Sequence, residues 1–383
     1  MDFSKVGAYL DECVKNGLPM GQVRVTKDYE TVYSYNAGWR DAEKTIPVSD
    51  DTLCWCFSNT KVYTAVCLMR LVEEGKIKLD DPVSKYLPEF AETFYLDGEE
   101  VRKAEKPVTV RHLITMTSGL SYAFKTRYPH FAEAVEKPGM TTREAIAALP
   151  KDPWKFAPGT DYVYGLGHDV VAAVIEVASG MRFSEYMKKI IIEPLGIKDT
   201  DFRPNAEQVS RLAAMYRCDK ETGAFVLRET ANEYAFCENY ESGGAGLFSC
   251  PKEYGKLLTT LACGGVSKDG YRLLKPETIK LMATNQLTGQ ALHSYLTNRS
   301  DVPAPAKRGY GYGLGVRVHL DPSASGRKSS AGEFGWTGAA GALSVVDPER
   351  RLAIVYAEHV RGHEGKFVIH TDLINLICEG LEA

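Results

Sequence analysis

No run of apolar residues in this 383-residue chain reaches the length that a bilayer demands of a helix, and no basic tract answers a phosphate backbone. The 46 basic and 50 acidic side chains are spread along the sequence and leave a formal net charge of -4, so neither membrane nor nucleic acid is an expected partner. The nine cysteines lack any repeated spacing. An odd, scattered set fits reduced residues in a reducing compartment better than a disulfide framework. The closest two, Cys54 and Cys56, have neither the zinc nor the thioredoxin spacing and read as small packing residues. Among eight histidines there is no H-E-x-x-H; His359 and His363 stand four apart, but a glycine lies between them and no third ligand is near, so no metal is expected. Absence of G-x-S-x-G argues against an α/β-hydrolase. The glycine-rich "GYGYGLG" sits in strand context with no helix behind it, which argues against phosphate binding. Nothing calls for a cofactor.

What remains is a globular composition, 44% apolar and 25% charged, long enough for one large or two ordinary domains. At the amino terminus Phe3, Val6, Leu10 and Val14 share one helical face, without the basic start and unbroken apolar core of a signal peptide; a cytoplasmic location is the expectation. "GQVRVTK" and "TVYSYNAGW" read as two strands around a polar turn. Helix-rich, Pro- and Gly-punctuated segments follow to about Tyr240. Strand character returns in "GYGYGLGVRVHL", "EFGWTG", "GALSVV" and "RLAIVYAEH", the last two joined as a hairpin by "DPER". A closing helix over 366–379 uses Phe367, Leu373, Ile374 and Ile377 as its apolar face. The expected class is therefore α+β, with an antiparallel sheet built from both chain ends and flanked by helices. Residues 1–77 and 241–383 form the sheet domain, and 78–240 a mostly helical insertion.

One segment poses a chemical problem. In "WCFSNTKVYTAVCLMRLVEEGK", Ser58 and Lys61 open a helix that is apolar nearly all round as far as Glu73, the pattern of a buried helix. Residues three apart share a face, so hydroxyl and amine would enter the same space. A free lysine has a pKa of about 10.4 and is almost never neutral at pH 7; burial and the positive end of the helix dipole both penalise the ammonium, leaving an amine able to take a serine proton. The stretch alone is equally compatible with a lysine that snorkels to solvent beside a capping serine. Ser-x-x-Lys by itself is weak evidence. About one match is expected by chance, and two others occur: "SCPK" at Ser249, where Pro251 suits a first helical turn and makes Ser249 a cap, and "SGRK" at Ser325, in a loop.

"LVEEGKIKLDDPVSKYLPEF", "TVRHLITMTSGL", "APGTDYVYGLGHDVVAAVIEVASG", "GGAGLFSCPKEYGKLL" and "FGWTGAAG" follow the Ser-x-x-Lys helix in an order that resembles the serine β-lactamase-like group. That group spans class C β-lactamases, penicillin-binding proteins and related carboxylesterases, and the resemblance covers nearly the whole chain. It implies a nucleophile at Ser58, a base at Lys61 and, in the Tyr-x-Asn position after Pro158-Gly159, a proton partner at Tyr164; with 21 tyrosines, simple packing is the alternative for Tyr164. The motif's asparagine is replaced by Leu166. The third motif, usually Lys-Thr-Gly or His-Thr-Gly, reads Trp336-Thr337-Gly338, so an apolar wall stands where the relatives hold a substrate carboxylate. Leu166, Trp336, Thr337 and Gly338 are the implied substrate contacts, although Trp336 could be core. The resemblance further implies that Gly338 permits close backbone approach to substrate and that the N–H groups of Ser58 and Ala339 serve as the oxyanion hole. His112, inside a landmark, reads as structural. Both departures look like the carboxylesterase branch. The expected activity is acyl transfer from a small-molecule ester or amide to water or an alcohol through Ser58. A β-lactamase or D-amino-acid peptidase, and a silent ligand-binding protein, are the alternatives.

Overall fold

Segments rich in β-branched and aromatic residues near both chain ends form seven strands: β1 (Met20–Lys27), β2 (Glu30–Gly38), β3 (Tyr310–Tyr312), β4 (Arg317–His319), β5 (Phe334–Thr337), β6 (Leu343–Asp347) and β7 (Leu352–Ala357). They form one antiparallel sheet in the order β2-β1-β7-β6-β5-β4-β3, so the first strands pair with the last. The computed structural model describes residues 1–228, 232–297 and 302–383.

Five helices position the site: α1 (Ser4–Lys15), α2 (Thr60–Glu73), α3 (Gly167–Ser179), α4 (Pro251–Ala262) and α5 (Lys366–Glu382). The register puts Val25 and Val345 opposite Ile354. Those residues and Tyr356 share a cluster with Val6 and Leu10 of α1 and Leu373, Ile374 and Ile377 of α5. Their strand neighbours Val346, Ala353 and Val355 face the other way, into a cluster with Tyr254 and Leu258 of α4. That period of two covers both faces of the sheet. The second cluster continues without a break through α2 and into α3, which packs along α2.

Three local expectations change. "GYGYGLGVRVHL" is two strands, because Gly313 approaches the Met282 carbonyl so closely that a Cβ would lie 2.0 Å from it, and the chain reverses there with the Gly313 N–H donating to Val316. Ser249 is no cap: it lies in a two-residue strand paired with Cys54–Trp55, 2.7 Å from the Thr200 hydroxyl, while Cys250 is the N-cap and Pro251 opens α4. Phe367 leaves the apolar face of α5 to Ile369 and lines a cavity instead. The strand Met215–Cys218 pairs in parallel with Val360–Arg361, tying the segment before residue 240 to the chain just past β7. The nine cysteines are free thiols. No helix among the described residues is long and apolar enough to cross a membrane.

Candidate active site

The chain enters α2 through the short strand Cys54–Trp55 and one turn of 3-10 helix, Phe57–Asn59. Phe57 takes φ of +46°, a left-handed conformation that a bulky residue adopts only when its surroundings impose it. Here they do. The Phe57 ring is buried edge-on against Tyr234 with the Arg361 guanidinium 4.6 Å above it, and the next peptide is pinned where the Tyr254 hydroxyl donates to the Asn59 carbonyl at 2.7 Å. The sharp turn leaves Ser58 half-exposed between buried neighbours.

Lys61, one turn on, is fully buried and does not snorkel. Its Nζ lies 3.3 Å from Ser58 Oγ, and it donates to the Tyr122 hydroxyl at 2.9 Å and to the Gly244 carbonyl at 2.7 Å. The ring centroids of Tyr164 and Tyr122 lie 4.6 and 5.2 Å from the same nitrogen. Gly244 has no room for a side chain: a Cβ would sit 2.6 Å from Asp169 Oδ2 and 2.7 Å from the Tyr122 hydroxyl. Asp169, at the start of α3, is buried, and its Oδ1 accepts from Ser242 Oγ at 2.7 Å and the Tyr240 hydroxyl at 3.1 Å. Burial pushes this carboxyl up, while Ser242, the positive field of Lys61 and Tyr240 pull it down. Desolvation is thus one of several forces on Lys61. A carbonyl, two ring faces and a buried acid act with the opposite sign. Burial also pushes the Tyr122 phenol well above its ordinary range, so it remains neutral at physiological pH.

Tyr164 follows the Pro158-Gly159 turn, which rests on His112: a Cβ on Gly159 would lie 2.8 Å from His112 Nε2. His112 in turn accepts from the Thr109 N–H at 3.2 Å in a capping box. The Tyr164 hydroxyl accepts from Trp336 Nε1 at 3.1 Å. Trp336 is therefore more than an apolar wall, since its indole N–H orients the phenol. Leu166 departs from expectation. It is fully buried in the main core and does not line the cavity at Ser58. Its flanking glycines explain why: a Cβ on Gly165 would come 2.1 Å from the Leu120 carbonyl, and one on Gly167 2.4 Å from that of Leu113, so the backbone is clamped and Leu166 has only the core to fill.

The cavity at Ser58 encloses about 220 Å³. Tyr122, Tyr164 and residues 336–339 are among its lining. Arg361 and Lys366, which sequence reasoning missed along with Tyr122, line it too, with Tyr234, Val302 and Phe367. A roomier hollow of about 320 Å³ lies elsewhere, beside Arg24, Tyr29 and Lys252, and holds none of these groups.

Gly338 is needed for a reason other than substrate approach. A Cβ there would lie 2.5 Å from the Cys56 carbonyl, so glycine lets the end of β5 rest against the peptide just before Ser58 and brings Ala339 to the same cavity. Gly338→Ala is expected to push the two segments apart and slow labelling of Ser58 by a fluorophosphonate at least tenfold, read by time-resolved intact mass.

Several known proteins are similar to this chain. Protein Rv1367c of Mycobacterium tuberculosis is 30% identical over 366 residues, covering 91% of this chain and 88% of the relative. The esterase EstB of Burkholderia gladioli is 26% identical over 374 residues, 92% of this chain and 89% of that protein. The solved structure of EstCE1, a hydrolase with promiscuous acyltransferase activity, superposes with a TM-score of 0.80 at 22% identity, covering 100% of this chain and 98% of the other. A family model described as Beta-lactamase matches residues 6–379, and with that match the chain belongs to the beta-lactamase family of serine hydrolases and acyltransferases.

Proposed function

We propose that the protein is a carboxylesterase-like serine hydrolase that cleaves or transfers the acyl group of a small ester through a covalent intermediate on Ser58. The carrying observation is the buried Lys61 amine 3.3 Å from Ser58 Oγ, at the wall of a cavity. In its neutral form Lys61 takes the Ser58 proton as Oγ bonds to the ester carbonyl carbon. The N–H groups of Ser58 and Ala339 receive the negative charge that develops on the carbonyl oxygen. Collapse breaks the bond to the alkoxy oxygen. The proton held by Lys61 then passes to the leaving alcohol by way of Tyr164, with Tyr122 holding the amine in place. Water or a second alcohol attacks the acyl carbon by the reverse proton route and frees Ser58. No cofactor enters.

Trp336, in place of the third motif's cation, and the loss of the second motif's asparagine at Leu166 support an ester over a lactam or peptide. An esterase and a hydrolase with acyltransferase activity among the similar proteins point the same way. The test sets 4-nitrophenyl butyrate and a chromogenic cephalosporin side by side, with intact-mass analysis after fluorophosphonate treatment. Ester turnover and one adduct on Ser58 are expected. Rapid cephalosporin turnover without esterase activity would make the protein a β-lactamase or peptidase, and ligand binding without any adduct would make it a silent receptor.

A further inference from the structure

The two N–H groups that would hold an oxyanion come from different parts of the chain, Ser58 from the turn that opens α2 and Ala339 from the end of β5. Their spacing depends on how firmly those parts are joined. Gly338 lets them touch. A second link, one residue past Ser58, holds them.

Asn59 ends the 3-10 turn that carries Ser58, and its side chain caps no helix. It is 1% exposed, and its Oδ1 accepts from Ser344 Oγ at 3.2 Å. Ser344 lies in β6, directly across the ladder from Trp336, and is fully buried. The same hydroxyl accepts from the Trp336 N–H at 3.0 Å, with the Trp336 carbonyl 3.3 Å away as a second acceptor. Trp336 is in turn the residue whose indole N–H holds the Tyr164 hydroxyl, and Ala339 follows three residues later. From the other side, Tyr254 of α4 donates to the Asn59 carbonyl. One hydroxyl therefore stands between the residue after the nucleophile and the residue that aims the proton relay.

The sheet itself does not need it. Val346, two residues on and on the same face of β6, meets the core with apolar surface, and an alanine at 344 would fill the ladder without burying a hydroxyl. A polar group in that place costs desolvation unless its bonds are made, and here they join two segments of the site.

We propose that Ser344 is a positioning residue for the reaction at Ser58: through Asn59 and Trp336 it fixes the spacing of the Ser58 and Ala339 N–H groups and the aim of Tyr164. This rests on the serine-hydrolase reading above and adds to it a residue outside the cavity lining among the described residues.

The test pairs kcat and KM for 4-nitrophenyl butyrate with inhibition by n-butylboronic acid, whose tetrahedral adduct on Ser58 puts an oxygen where the oxyanion develops. In Ser344→Ala, kcat is expected to fall about tenfold or more with KM within about twofold of wild type. The inhibition constant of the boronate should rise about as far as kcat/KM falls. Losing a donor outright costs about 10²–10³-fold, and displacing one costs less. Rates are taken per Ser58 labelled to completion by a fluorophosphonate, and an inhibition constant is independent of the fraction folded, so a merely structural role would move neither. Asn59→Leu breaks the link while Trp336 keeps its bond to Ser344; a fall of about threefold or more in kcat is expected, and the double variant should be within about twofold of Ser344→Ala, because both changes act through one bond. If Ser344→Ala yields no folded protein, Asn59→Leu decides by the same two readouts. Wild-type kcat and boronate affinity in the single variants, or effects that multiply in the double variant, would overturn the role while turnover and the Ser58 adduct kept the hydrolase reading. No adduct and no turnover in the wild type would end both.

Discussion

Ser58→Ala is expected to lower kcat/KM for 4-nitrophenyl butyrate by about 10⁴-fold or more, because the covalent route disappears and only binding and oxyanion stabilisation remain. The change is small in volume, and Ser58 is partly exposed, with Lys61 Nζ 3.3 Å from its Oγ. The thermal midpoint should therefore move little, and the lost rate cannot be assigned to unfolding. Retention of more than a few per cent of the activity, or a fluorophosphonate adduct on another residue, would remove Ser58 from the reaction.

Lys61→Met should cost about 10³-fold in kcat, within the range of 10²–10⁴ for a positioned base. Methionine fills similar space but takes no proton, and it leaves the Gly244 carbonyl and the Tyr122 hydroxyl without their donor. Lys61→Arg separates charge from basicity, because a guanidinium keeps the positive charge and the donors but does not deprotonate. No rescue by arginine is expected, and fluorophosphonate labelling of Ser58 should slow in both variants. Recovery by arginine to within tenfold of wild type would mean that Lys61 acts by its charge alone.

Much of the frame was legible because it rests on short-range pattern. The largely apolar stretch after Lys61 gives a buried helix, and the short β-branched-rich runs near both ends give the strands that meet as β1 and β7. Ser58 and Lys61 were legible together since a helix turn brings them together whatever the rest of the chain does. Tyr122 was not, as one of 21 tyrosines that reaches Lys61 only after the chain between has folded. Arg361 and Lys366 were hidden for a similar reason: one is set by a parallel pairing to Met215–Cys218, the other by the start of α5. Motif reasoning placed Leu166 toward substrate, but the glycine-clamped backbone on either side sends it to the core. Splitting of "GYGYGLGVRVHL" into two strands depended on a contact with Met282 that no local preference encodes.

Pairing of β1 with β7 also sets an order of events during synthesis. Val25 must wait for Ile354, and at about 5–20 residues per second that delay is tens of seconds, during which the amino-terminal hairpin offers an open edge to any passing strand. Ser58 and Lys61 leave the ribosome early in that interval, whereas residues 336–339 and Lys366, which close their cavity, come near its end. The nascent chain thus carries its nucleophile long before it can hold an ester against it, and reactivity arrives only with the finished polypeptide.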